Sequence, residues 1–227
     1  MTPEQRRRLV LDHTAVRRPA LVPEVALQLV DGDDIVTMWQ RTGEEQPPPF
    51  WAVAWLGGQA LARFLLDHPA EVAGRRVLDL GSGSGLVAIA ALQAGAAHAV
   101  AADIDPFCLE AIALNAALND VQVDVTTEDL LASDPPDVDV VLAGDVWYEQ
   151  GLAERVMGWL SRSPATVLLG DPGRAYLPQH GWQELAAYDV PTTRDLEGVT
   201  SKRVRVFRPA GGDRGAGLSP RARGPRS

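Results

Sequence analysis

The chain has 227 residues, 46% hydrophobic and 22% charged, and a formal charge of 21 minus 30, or −9. That length suits one well-buried domain, and the acidic balance excludes a protein that grips nucleic acid through its phosphates alone. The longest apolar run, LVAIAAL (86–92), falls far short of the roughly 20 residues a membrane span needs, so neither a membrane nor direct nucleic-acid binding is expected.

MTPEQRRRLVLDH at the N-terminus has only three apolar residues behind its arginines, too few for a signal-peptide core. The lone Cys108 has no internal disulfide partner, which fits a reducing compartment; the cytoplasm is the expected location. EVALQLV (24–30), DGDD and IVTMWQ (35–40) read as a β-hairpin within an N-terminal extension, residues 1–49. QPPP (46–49) marks a boundary, because proline lacks a donor and restricts its neighbour. Beyond it Trp55, Leu56, Ala60, Leu61, Phe64 and Leu65 recur at helical spacing, predicting a helix to about Asp67.

From Arg76 the pattern alternates. Strands are predicted at 76–81, 98–104, 121–128, 138–145 and 166–171, with helices at 86–95, 106–119 and 152–161. Pro106 stands in the first turn of the second of these helices, and Asp105 before it is the expected N-cap. Near-continuous apolar strands between helices mean a parallel sheet covered on both faces. WQELAAYDVP (182–191) and SKRVRVFRP (201–209) are two strand candidates without a helix between them, an expected antiparallel pair. The domain is taken as 50–209, and 210–227, rich in Gly, Pro and Arg, as a disordered tail.

DLGSGSG (79–85) lies where the first sheet strand meets the first crossover helix, the place where open α/β sheets bind ligands. Its glycines are spaced two and two, whereas a dinucleotide fingerprint is G-x-G-x-x-G; Leu86 stands where that pattern's third glycine would be. Asp79 would repel a pyrophosphate and suits an ammonium group. Asp103 ends the second strand 22 residues past Gly81, a position that serves ribose hydroxyls in either cofactor class.

D-x-G-x-G-x-G followed by a strand-terminal Asp resembles the class I S-adenosylmethionine-dependent methyltransferases. The resemblance implies a Rossmann-like, doubly wound α/β sheet of seven strands, mostly parallel with an antiparallel last strand. It also implies S-adenosylmethionine as cofactor. Asp79, Gly81, Ser82, Gly83 and Gly85 would hold its methionine part, Asp103 and Ile104 its ribose side, and Asp129 and Leu130 its adenine.

GDVWYEQ (144–150) ends the fourth strand, which faces the transferred methyl in that fold. A carboxylate, Asp145, beside two aromatics, Trp147 and Tyr148, makes a pocket for a cation. D-x-x-Y resembles the seven-strand protein-lysine methyltransferases. PPFWAVAWLGGQALARFL (48–65) is similar to their tryptophan-rich entry helix, with Trp55 against the cofactor. GDPGRAYLP (170–178) is similar to the group acting on the electron-transfer flavoprotein β subunit, with Asp171 and Arg174 toward the target. The expected catalytic residues are then Asp145 and Tyr148, with Trp147 flanking the lysine. The expected partner is that β subunit or a ribosomal protein, and the enzyme is expected to be a monomer.

Three other readings stay open: a small-molecule N-methyltransferase, a dinucleotide dehydrogenase, and a module that binds cofactor without turnover. No metal is expected, since none of His13, His68, His98 and His180 has a partner at ligand spacing.

Overall fold

A computed structural model describes residues 1–30, Met38 and 48–211. The N-terminus folds into helix α1 (Pro3–His13), opened by a reciprocal cap: Gln5 N–H donates to Thr2 Oγ1, and Thr2 N–H to Gln5 Oε1. Strand β1 (Ala15–Arg17) then pairs antiparallel with β2 (Leu27–Leu29). The expected hairpin is corrected here. Its first arm is a strand, but the partner comes from the residues before it. The second arm lies outside the described residues apart from Met38, which is helical. The choice is tertiary: two helix side chains accept from this segment, Asn115 Oδ1 from Gln28 N–H at 2.7 Å and Asn119 Oδ1 from Ala26 N–H at 2.9 Å.

The remaining elements run α2 (Leu56–Asp67), β3 (Arg76–Leu80), α3 (Leu86–Gln93), β4 (His98–Ala102), α4 (Phe107–Leu118), β5 (Asp124–Thr126), β6 (Val140–Gly144), α5 (Gln150–Leu160), β7 (Thr166–Asp171), β8 (Trp182–Pro191), α6 (Arg194–Glu197) and β9 (Ser201–Pro209). The N-cap of α4 is Pro106 rather than the expected Asp105, which stands one residue earlier and accepts from Phe107 N–H through Oδ1 at 2.9 Å. The expected strands at 121–128 and 138–145 are shorter than their apolar runs, and the short α6 interrupts the last connection.

Seven strands form one sheet in the order β5-β4-β3-β6-β7-β9-β8. Strands β3 to β7 are mutually parallel where they pair, and β9 runs antiparallel to both β7 and β8. The faces separate with period two. Val77, Val140 and Leu142 pack toward α2, α3 and α4, while Leu78, Leu80, Val141 and Ala143 pack toward α5 and its Trp159. The long apolar runs of the central strands follow from helices on both faces. The order reverses between β3 and β6, whose connections leave in opposite directions and open a crevice on the carboxyl side of the sheet. The expected disordered tail lies outside the described residues from 212 onward.

Among the described residues no helix is long and apolar enough to cross a membrane, and no group of acidic, His or Cys side chains could hold a metal ion.

Candidate active site

The crevice opens on the glycine loop. Gly81, Gly83 and Gly85 take φ of +68°, +53° and +81°, left-handed values that glycine adopts without steric cost. Two carboxylates shape the turn. Asp79 Oδ2 accepts from Ser82 Oγ–H at 2.6 Å and from Ala88 N–H at 3.1 Å, tying the loop to the start of α3. Asp103, at the end of β4, accepts from Gly83 N–H at 2.9 Å and from Asp105 N–H at 3.1 Å. Asp79 is buried, and burial pushes its carboxyl up to about 7.

Asp145 follows β6 with a φ of +58°, a left-handed value that non-glycine residues seldom adopt. Its carboxylate is buried and fully engaged. Oδ2 accepts from Gly57 N–H at 2.5 Å and Gly58 N–H at 3.2 Å, and Oδ1 accepts from Arg174 at 3.0 and 2.7 Å. Burial pushes the group up to about 6, against the pull of Arg174 and the Gly57 amide. Those amides belong to the N-terminus of α2, whose free N–H groups favour an anion.

Glycines bring that helix end so close. A Cβ on Gly57 would stand 2.2 Å from Gly170 O, one on Gly144 2.7 Å from Gly58 N, and one on Gly170 2.1 Å from Gly57 O. WLGG, LAGD and LLGD are therefore one contact: the first turn of α2 lies directly on the ends of β6 and β7.

Above Asp145 lies a cavity of about 520 Å³, lined among others by Phe50, Trp55, Gly81, Asp103, Ile104, Leu130, Asp145, Tyr148 and Arg174. A small recess beside it takes in Asp79, Ser82, Ser84 and Asp145 below Trp55. Trp55 caps α2 and is fixed by its own indole, whose Nε1–H donates to Phe50 O at 2.8 Å. Phe50 meets Trp55 edge-on and Tyr148 at a tilt, so three rings wall the mouth.

Comparison with known proteins identifies this arrangement. Residues 60–145 match the family model for ribosomal protein L11 methyltransferase. The electron transfer flavoprotein beta subunit lysine methyltransferase of Xenopus laevis is 39% identical over 216 residues, covering 89% of this chain and 87% of the relative. The Homo sapiens protein of the same name is 37% identical over 203 residues, covering 84% and 77%. The chain belongs to this lysine methyltransferase family. Magnesium protoporphyrin IX methyltransferase of Synechocystis PCC 6803, solved with bound SAH, shares the fold: TM-score 0.50, 18% identity, 67% of this chain and 81% of that one.

S-adenosylmethionine is the methyl donor of a lysine methyltransferase, and the residues present fit it. The cavity volume lies within the range of small-molecule sites, about 300–1,000 Å³. Asp103 offers acceptors for ribose hydroxyls, the recess lined by Asp79 and Asp145 suits an ammonium, and Ile104 and Leu130 give apolar walls for a purine.

Most of the expected site residues meet at this crevice, with two corrections. Trp147 does not flank the cavity. It is 0% exposed and packs edge-on against Trp182 in the layer under α5. Of the two aromatics after Asp145, only Tyr148, half exposed, joins the wall. Asp171 does not face the target either. It is 0% exposed, and its Oδ1 accepts from Gly173 N–H and Arg174 N–H, folding the turn that aims Arg174. Asp129 lines the cavity but spends its carboxylate on Arg155 and Leu131 N–H, leaving Leu130 and Leu131 as the apolar surface.

Phe50 and Glu197 are the residues that sequence reasoning misses. Glu197 ion-pairs Arg174 at 2.8 Å. Phe50 had a local signal, an aromatic directly after the proline boundary. Glu197 had none, because its place depends on how the β8–β9 connection folds back. Cys108 is buried and its thiol is pushed up by burial, so it is no nucleophile.

Proposed function

We propose that the cavity presents a lysine of a partner protein, the electron-transfer flavoprotein β subunit, for methylation. The observation that carries this reading is Asp145: a buried carboxylate, held in a left-handed backbone, at the floor of an aromatic-walled cavity that continues into the glycine loop. The names of the relatives support the choice of target.

S-adenosylmethionine, when bound, supplies an electrophilic methyl group on a sulfonium. A lysine amine has a pKa near 10.4, so only about one in 2,500 is neutral at pH 7, and only that form has the lone pair to attack. Asp145 attracts the amine as a cation, orients it, and stabilises the charge that forms on nitrogen. The proton leaves to water. Trp55, Phe50 and Tyr148 line the lysine stem and exclude water around it. Alignment of amine and methyl for in-line displacement supplies much of the rate.

The role of Asp145 has a pH signature. With its carboxyl raised to about 6, the charge is lost as pH falls through that value. Activity on a protein lysine should therefore fall more steeply below about pH 6 than amine protonation alone requires. A kcat/KM profile with no second ionisation there would remove Asp145 from this role.

Recombinant protein incubated with purified β subunit and S-adenosylmethionine should add methyl groups, seen as +14 Da steps in intact mass and mapped to lysine by tandem mass spectrometry. No added mass on the β subunit, with ribosomal protein methylated instead, would move the target to the second reading, which the 60–145 family match favours.

The single free Cys108 supports a cytoplasmic, reducing setting, and we infer a monomer, since one chain supplies the whole cavity. A dimer mass in solution would contradict the latter, and recovery from an oxidising compartment the former.

A further inference from the structure

Behind the cavity floor lies a charge cluster drawn from the ends of four elements. Asp145 follows β6, Asp171 ends β7, Glu197 ends α6, and Lys202 lies in β9; Arg174, in the turn after β7, stands among them. Arg174 donates two bonds to Asp145 Oδ1 and lies 2.8 Å from Glu197 Oε1. Lys202 Nζ donates to Glu197 Oε2 at 3.0 Å. Three carboxylates thus meet two cations.

The shortage shows in the hydrogen bonds. Asp171 Oδ2 is buried without a hydrogen bond on a side chain that is 0% exposed, and Glu197 Oε1, on a side chain 4% exposed, has only its 2.8 Å ion pair with Arg174. A buried polar atom left unsatisfied costs about 1–3 kcal/mol, so native structures leave few without a reason. Arg174 meanwhile sits where a substrate cation would be expected. Its guanidinium carbon is 5.8 Å from the Trp55 ring centroid and its nitrogens are on Asp145, a carboxylate and an aromatic face together.

We propose that Arg174 is a stand-in for the target lysine. On the reading that the cavity takes a lysine, the arriving ammonium replaces Arg174 on Asp145 Oδ1. Arg174 then turns its whole fork onto Glu197, whose Oε1 it already holds at 2.8 Å through one nitrogen. The lysine is the third cation of the cluster. Between turnovers Arg174 keeps Asp145 paired, and a cation enters only if its contacts outweigh those of the guanidinium. Arg174 and Glu197 are thus specificity-determining rather than catalytic.

The test is steady-state methylation of the electron-transfer flavoprotein β subunit by the full chain, its Arg174→Gly variant and its Glu197→Gln variant, with and without guanidinium chloride. Sodium chloride at equal ionic strength serves as control. Arg174→Gly should lower KM for the protein about three- to tenfold with little change in kcat, and added guanidinium should then compete with the protein substrate. Glu197→Gln removes the second seat and should raise KM. A fall in kcat of Arg174→Gly that guanidinium restores would overturn the proposal, making Arg174 a positioning residue for Asp145. An unchanged KM with no competition would overturn it too. If Arg174→Gly no longer binds S-adenosylhomocysteine, followed by tryptophan fluorescence, Glu197→Gln decides alone, and an unchanged or lower KM counts against the stand-in. Absence of methyl transfer by the unaltered protein would instead contradict the lysine reading, and this inference with it.

Discussion

At the residue scale, Asp79 illustrates what the site costs the fold. It is a buried carboxylate held by one hydroxyl and one amide, with its carboxyl raised to about 7. The sign follows from linkage. A raised native pKa means the folded state binds the proton more tightly, so Asp79 subtracts stability as pH rises from the ordinary carboxylate range through about 7. Asp79→Asn lacks that ionisation. In urea melts of the ligand-free protein the variant should gain on the parent between about pH 5 and about pH 8, on the order of 2 kcal/mol. It should also bind S-adenosylhomocysteine more weakly, the usual exchange between stability and function. A gain that is the same at both pH values would show that Asp79 is not buried as an ionising group. The neighbouring aromatics mark the limit of what a sequence shows at this scale. Trp147 and Tyr148 look equivalent behind Asp145, but the positive φ at Asp145 breaks the strand's alternation. Period two then cannot say which ring turns to the core.

At the scale of elements, the contact between α2 and the ends of β6 and β7 decides where the Asp145 carboxylate points. Gly144→Ala would place a Cβ 2.7 Å from backbone, which cannot yield as a side chain tip can. Overpacking of this kind costs about 1–3 kcal/mol, and lifting α2 withdraws its amides from Asp145. We expect a lower urea midpoint together with a large loss of turnover. Gly58→Ala is the control, since its Cβ would meet only Val87 at 3.8 Å; it should stay near parental stability. Equal behaviour of the two variants would contradict the close approach. The alternation from Arg76 to Asp171 is legible in the sequence because helices cover both faces of those strands, leaving long apolar runs. The contact between LAGD, LLGD and WLGG is not, because nothing local tells a packing glycine from a turn glycine. Helix α1 also escapes a periodicity reading. Val10 is its one buried residue, so no apolar stripe exists.

At the scale of the molecule, the formal charge of −9 and the exposed rings at the cavity mouth suit a basic, lysine-bearing protein surface. Attraction between such surfaces acts mainly on encounter and is screened by salt over a Debye length of about 8–10 Å. kcat/KM for a protein substrate should therefore fall as ionic strength rises, while S-adenosylhomocysteine affinity changes little. Salt-independent catalysis would mean that surface charge has no part in docking. The glycine-loop pattern made the cofactor half of the site readable, because it is contiguous and bound to one strand–helix junction. The other side of the cavity is built from Phe50, Tyr148 and Arg174, with Glu197 behind Arg174, residues spread over four segments that only folding brings together.

The most direct test of the central claim, that Asp145 and its aromatic cavity present a protein lysine for methylation, is label transfer in a lysate of the source cells. Methyl-labelled S-adenosylmethionine would be added with the parent protein or with Asp145→Asn, and the proteins separated and identified. One or two bands, labelled on lysine, should appear with the parent and fade with the variant. Label confined to small molecules, or bands equally strong with Asp145→Asn, would contradict it.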